Sequence, residues 1–338
     1  MTLQTVKKNL KMYQVSVAPM MDWTDRHYRY FIRQITKKTL LYTEMVTTGA
    51  ILFGDKNKHL EFSALENPLV LQLGGDNPEQ LSECAKIAQN YGYSEVNLNV
   101  GCPSERVQQG NFGACLMATP QLVAQCVAKM QSVIEIPVTV KNRIGIDDND
   151  SYENLYNFVK IVSEAGCQRF IIHARKAILK GLSPKENRTV PPLKYDFVYN
   201  LKKDFPQLII EINGGIKTLE EVKDHLKYTD GVMLGRAAYE NPYIFSKIDS
   251  EIFNENTEIP TRREIIENMI PYLENNLKKD IWINKTLIHI LGLFNNQPGS
   301  KIWKRYLSEN MHKKNSDISI LTEAIKLMSD DILDSKDF

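Results

Sequence analysis

Up to about residue 245, the apolar and polar positions of this chain alternate between two periods. Short apolar or alternating runs predict strands at 14–17, 40–43, 69–72, 95–99, 138–141, 169–173, 209–213 and 231–234. Longer stretches with helical spacing separate them, and several helix starts are legible. Asn77-Pro78 and Thr119-Pro120 each put a cap residue before proline at the first helical position, and Thr218-Leu219-Glu220-Glu221 reads as a capping box. Eight strands in strict β-α alternation over about 230 residues predict a closed α/β (β/α)8 TIM barrel rather than an open doubly wound sheet.

The pattern changes after Asn241-Pro242. From about residue 261 only helical periodicity remains, opened by the capping box Thr261-Arg262-Arg263-Glu264 and continued at 282–293, 302–310 and 317–333. The expected organisation is a barrel over residues 1–246 and a small C-terminal helical domain over 247–338 that leans on it. The acidic tail after Ser329 is expected to fray.

Composition narrows the class without changing it. The chain has 338 residues, 43% of them hydrophobic and 25% charged, which is ordinary for a globular protein. A net charge of +1 gives no global attraction to nucleic acid. Residues 1–11 lack a continuous apolar segment, and no run approaches membrane-spanning length, so a cytoplasmic protein with no membrane partner is expected. Five cysteines, with no C-x-x-C pair and no histidines at zinc spacing, predict neither a disulfide framework nor a metal site. Cys84, Cys115, Cys126 and Cys167 read as small core residues. Charge is uneven, however. Residues 261–314 hold ten Lys/Arg against five Asp/Glu, and Lys301, Lys304 and Arg305 interleave with Trp303 and Tyr306. That pattern suits phosphates and stacked bases as well as a solvated helix face.

Candidate chemistry gathers at the strand ends, where the βα loops of a barrel carry catalytic groups. Cys102 lies just past the fourth strand, bracketed by Gly101 and Pro103, with Asn97 and Asn99 before it. Pro19-Met20, Glu44, Gln72, Lys141 and His173 end or follow other strands. The seventh and eighth strands lead into Asn213-Gly214-Gly215 and Gly235-Arg236, where backbone amides, a helix N-terminus and a guanidinium can hold a phosphate. The absence of G-x-G-x-x-G and of G-x-x-x-x-G-K-[ST] argues against a Rossmann or P-loop site.

Asn97-Leu98-Asn99-Val100-Gly101-Cys102-Pro103-Ser104-Glu105-Arg106 resembles the catalytic loop of the tRNA-dihydrouridine synthases, in particular the A-type bacterial subfamily. The stretches 16–26, 41–46, 140–145, 172–175 and 212–216 are similar to the same family in the same order, so the resemblance covers roughly residues 16–311. It implies reduction of uridine to dihydrouridine in the tRNA D-loop, at positions 20 and 20a, by an FMN enzyme that draws electrons from NADPH, with NADH possible. FMN suits a barrel whose phosphate sits at strands seven and eight. Lys141 would stabilise the anionic reduced ring, and Gln72 would bond its edge. The resemblance also gives the flavin Ala18, Pro19, Met20, His173, Asn213, Gly214, Gly215, Gly235 and Arg236. Cys102 would be the general acid, since a thiol with the ordinary pKa of about 8.5 is mostly protonated at neutral pH. Asn99 is expected on the uracil edge once the base is turned out of its stack. Lys185 and Arg188, with Lys301, Lys304 and Arg305, are expected to contact tRNA, and the enzyme is expected to act as a monomer. Two other readings remain open on the residues alone: a small-molecule flavin barrel similar to the dihydroorotate dehydrogenases, and a non-catalytic RNA-binding barrel.

Overall fold

The computed structural model describes residues 11–337. The N-terminal segment read for a leader therefore lies, but for Lys11, outside the described residues. Eight parallel strands form one sheet: β1 Val15–Val17, β2 Leu41–Thr47, β3 Leu69–Gly74, β4 Glu95–Val100, β5 Val138–Arg143, β6 Arg169–His173, β7 Ile209–Asn213 and β8 Gly231–Leu234. Backbone bonds from Val17 N to Leu40 O (2.9 Å) and from Leu40 N to Val15 O (3.1 Å) bring β1 against the start of β2. They close the expected (β/α)8 barrel.

The period of two along each strand decides what the barrel encloses. On β4, Val96, Leu98 and Val100 pack outward into the main apolar core, whereas Asn97 and Asn99 point inward and bond across the strands. Leu40, Tyr42, Val70, Ile171 and Met233 form a separate apolar plug inside. Near the strand starts, Arg169 pairs with Glu95 at 2.6 Å, both fully buried, so each charge is desolvated but matched. The Ser16 hydroxyl donates to the buried carboxylate of Glu211. Polar groups thus thread the barrel from floor to mouth.

Helix starts follow the chain signals in part. Asn77 accepts from Glu79 N and Gln80 N (3.0 and 3.1 Å) at the head of Pro78–Tyr91, and Thr218 and Thr261 both complete capping boxes. Thr119 precedes Pro120–Gln131 without a side-chain bond, so proline alone marks that start. The stretch expected as one helix at 282–293 is the helix Asn284–Ile290 followed by a 3-10 turn. The stretch 317–333 splits into Ser319–Lys326 and Asp330–Leu333, because Ser329 takes extended backbone with ψ 148°.

The acidic tail does not fray. Arg263 pairs with Asp330 and Asp334 (2.5 and 2.7 Å), and the buried Arg262 guanidinium lies 3.7 Å from the Tyr243 ring centre and donates to Asp337 O. These two arginines are structural and do not belong to a nucleic-acid surface. The C-terminal helices lean on the helix Arg26–Ile32: Tyr272 stacks on Tyr30 at 3.9 Å, and His289 Nε2 lies 3.1 Å from Asp25 Oδ1. Buried apolar side chains run as one cluster from Val15 to Leu333.

Candidate active site

The C-terminal ends of the strands open into a cavity of about 1490 Å³. Its wall contains Ala18, Pro19, Met20, Gln72, Asn99, Cys102, Lys141, His173, Arg188, Asn213, Gly214, Gly215, Gly235 and Arg236. Every strand contributes at or just beyond its C-terminal end, as parallel strands ending together require. Lys185 is exposed outside the cavity, while Lys301, Lys304 and Arg305 stand on the helix Ser300–Asn310 away from it. Lys304 Nζ is held by Asn295 Oδ1 at 3.2 Å.

Cys102 is held by its backbone. Asn99 Oδ1 accepts from Gly101 N (3.1 Å) and Cys102 N (2.9 Å), while Asn99 Nδ2 donates to Gln72 Oε1 (2.8 Å). Gln72 in turn donates to Asn97 Oδ1 (2.8 Å), and Asn97 to Thr139 Oγ1 (3.0 Å). The Asn99 carboxamide, expected on a uracil edge, also anchors the loop, and its Nδ2 has a second hydrogen beyond the Gln72 bond. Its oxygen already accepts two bonds, the capacity of a carbonyl oxygen. The thiol itself is part-exposed, 3.5 Å from Ser104 Oγ.

Arg143, which the strand-end reading passed over, fixes the same loop from the other side. Its Nε donates to Gly101 O, and its Nη1 to the carbonyls of Lys176 and Asn187, each at 2.9 Å. One buried guanidinium thus ties the Cys102 loop to the segment after β6, and burial pulls its pKa down to about 10. Its place at the end of β5, two residues past Lys141 and on the same face, is the signal that could have found it.

Charge is arranged in two zones. Lys141 Nζ reaches Asn213 Oδ1 at 3.3 Å, and Asn213 Nδ2 donates to Met233 O at 2.7 Å, so β5, β7 and β8 jointly set the ammonium. Burial, and secondly repulsion from Arg143, lower the Lys141 pKa to about 8. Burial and the same two cations keep His173 well below its ordinary value, hence neutral, and its buried Nδ1 has no partner among the described residues.

The second zone surrounds the two glycine loops. Arg175 and Arg188 each have a pKa lowered first by burial, and the proximity of Arg236 lowers both further. Three guanidiniums converge there without an acidic partner among the described residues, which is an arrangement for an anion. Gly214 and Gly215 take φ of +120° and +80°, and a Cβ on Gly215 would come within 2.8 Å of Leu193. A Cβ on Gly235 would meet only Ala18, at 4.0 Å, so the missing side chain leaves open space on that wall.

Other expectations need correction. Trp303 is fully buried against Phe294, with ring centres 4.7 Å apart, and is core rather than a stacking platform. Cys115 is only half-buried and bonds Phe112 O, unlike the buried Cys84, Cys126 and Cys167. Among the described residues no cluster of His, Cys, Asp or Glu is set to hold a metal, and no helix is long and apolar enough to cross a membrane.

A parallel (β/α)8 barrel with a cationic, glycine-lined cavity at its C-terminal face has its candidate site where barrel enzymes carry theirs. The family model described as dihydrouridine synthase (Dus) matches residues 16–329, and the chain belongs to that family. It is 62% identical over 296 residues to the tRNA-dihydrouridine(20/20a) synthase of Synechocystis sp., covering 88% of this chain and 89% of that protein. It is 59% identical to the enzyme of the same name from Vibrio parahaemolyticus (92% and 96% covered) and 56% identical to that of Salmonella typhi (97% and 98%). Among solved structures it is similar in fold to a 2-naphthoyl-CoA reductase bound to 2-naphthoyl-CoA. That match has a TM-score of 0.54 and 11% identity over 73% of this chain and 52% of the other.

Proposed function

We propose that this chain is an FMN-dependent tRNA-dihydrouridine synthase that reduces uridine in the D-loop, at positions 20 and 20a, with NADPH as electron donor. The observation that carries the reading is the joint placement of Cys102, Lys141 and the Gly214/Gly215/Gly235/Arg236 cradle in one cavity, in a chain of this family. The names of its relatives specify tRNA, which favours this reading over a small-molecule barrel and over a non-catalytic RNA binder.

The residues present fit FMN. Open space at Gly235 and the guanidiniums of Arg175 and Arg236, which make no ion pair among the described residues, suit its phosphate, the buried Lys141 ammonium suits an anionic reduced ring, and His173 Nδ1, without a partner among the described residues, offers a hydrogen bond. Gln72, Asn213 and the Ala18-Pro19-Met20 backbone complete that wall. When bound, FMN would supply the hydride for one carbon of the uracil C5–C6 double bond.

The chain's own residues do the rest. Cys102 delivers the proton to the other carbon from the thiol. Asn99 and Arg143 hold its loop at fixed height over the cavity, so little orientation is lost on the way to the transition state. Arg188 stands at the rim where an extruded nucleotide enters, and Lys185 beside it meets the tRNA backbone. The helical segment 247–338, through Lys301, Lys304 and Arg305, serves as the tRNA-binding domain. The direct test is a map of dihydrouridine in tRNA from cells lacking this protein. Loss at positions 20 and 20a, restored by the wild-type gene and not by Cys102→Ala, is expected. Full modification in the deletion strain would overturn the assignment.

A further inference from the structure

The exposed tryptophan of the helical segment lies outside its most suggestive basic stretch. Trp303 is sealed in the core, while Trp282 stands 65% exposed. Trp282 lines a groove of about 560 Å³ between the loop that follows Arg262–Leu277 and the loop that follows Ser300–Asn310. Lys313, Lys314 and His312 form the opposite wall, and Lys278 and Lys279 follow Leu277 in the chain, outside that lining. None of these four lysines makes an ion pair among the described residues; Lys313 donates to the neutral Asn310 Oδ1 at 2.6 Å. Asp280 is the one acid in the wall.

We propose that this groove is a second docking surface for the tRNA, with Trp282 stacking on an unpaired base and the lysines neutralising the adjoining phosphates. The inference rests on the tRNA reading given above and extends it to residues outside the cavity. Charge selects the occupant. Two lysines against one carboxylate in the wall, with Lys278 and Lys279 next to Leu277 in the chain, attract a polyanion, and a large exposed indole beside them matches single-stranded or loop RNA, whose bases present π faces whatever their sequence. A groove of this size lies in the range of nucleotide-sized pockets.

Continuity with the cavity supports the same occupant. Helix Asn284–Ile290 begins just after Trp282 and Ile283, and Asn284 Nδ2 lies 3.1 Å from His312 Nδ1 in the groove wall. Near the other end of that helix, His289 meets Asp25, which lines the catalytic cavity. From Ile283 to His289 the axis advances about 9 Å. One helix thus links the groove wall to a residue of the cavity wall.

The test uses the full-length protein and an unmodified tRNA transcript, with binding measured from low to high salt. Trp282→Ala is expected to weaken binding about tenfold and to abolish the part of the tryptophan quenching that tRNA causes at this exposed ring. Lys313→Ala with Lys314→Ala is expected to flatten the plot of log affinity against log salt by about one to two units. All three positions are exposed, and flavin absorbance of each variant reports an intact barrel. Wild-type binding with equal affinity and slope in the variants overturns the groove alone. A wild-type protein that binds no tRNA overturns the tRNA reading and the groove with it. A wild-type dimer that dissociates on Trp282→Ala in sedimentation, with tRNA affinity unchanged, makes the groove an interface between copies and overturns the proposal.

Discussion

The backbone N–H of Cys102 donates to the Asn99 side-chain oxygen at 2.9 Å, so the next-to-last residue of β4 fixes the backbone that carries the thiol three positions later. Asn99→Ala removes that bond and its companion to Gly101. It is expected to lower dihydrouridine formation by about 10- to 100-fold through misplacement, whereas Cys102→Ala should cost about 100-fold or more by removing the acid. Single-turnover rates with tRNA and pre-reduced enzyme measure both. Native turnover in Cys102→Ala would assign the proton to another group.

Lys141→Met should lower the flavin reduction potential, because the anionic reduced ring loses its cation. The wild-type ammonium, with a pKa of about 8, is charged at pH 7 and loses its proton as pH rises through 8. The difference in potential between wild type and variant should therefore be large at pH 7 and shrink above pH 8. Potentiometric titration at several pH values checks it, and a gap independent of pH would contradict it.

Glu211 offers a stability test. Burial raises its pKa from the ordinary carboxyl value to about 7, against the lowering pull of Arg169 and the Ser16 hydrogen bond. A carboxyl with a raised folded pKa binds its proton more tightly folded than unfolded, so folding loses stability as pH climbs from about 4.5 to 7. The full effect is on the order of 3 kcal/mol, at about 1.4 kcal/mol per pH unit. Thermal unfolding of Glu211→Gln should gain on wild type between pH 5 and pH 7 and hold that gain above it.

Arg236→Ala should weaken FMN retention by removing one of three converging guanidiniums from the anion zone. Rebinding of FMN to the apoprotein, followed by fluorescence quenching, measures it. Equal affinity in the variant would move the phosphate away from the Gly214, Gly215 and Gly235 loops.

The strands, their order and their closure were legible in the chain because each is a local pattern: a run of four or five apolar-rich residues bounded by Gly, Pro or a cap. Period-two alternation also put Gln72, Asn99, Lys141, His173 and Asn213 on strands that end together, so the cavity wall followed from local rules once the barrel closed. Tertiary structure alone decided who partners whom. Asn99 reads as a free carboxamide beside a substrate until Gln72 and the Cys102 loop are folded against it. Arg143 shows its role only when three carbonyls from separate segments surround it. In the helical segment, Trp303 and Trp282 are indistinguishable by composition. Trp303 faces Phe294 from its helix and is buried, while Trp282 stands on a loop in solvent, because burial depends on where the fold places a residue and not on its type.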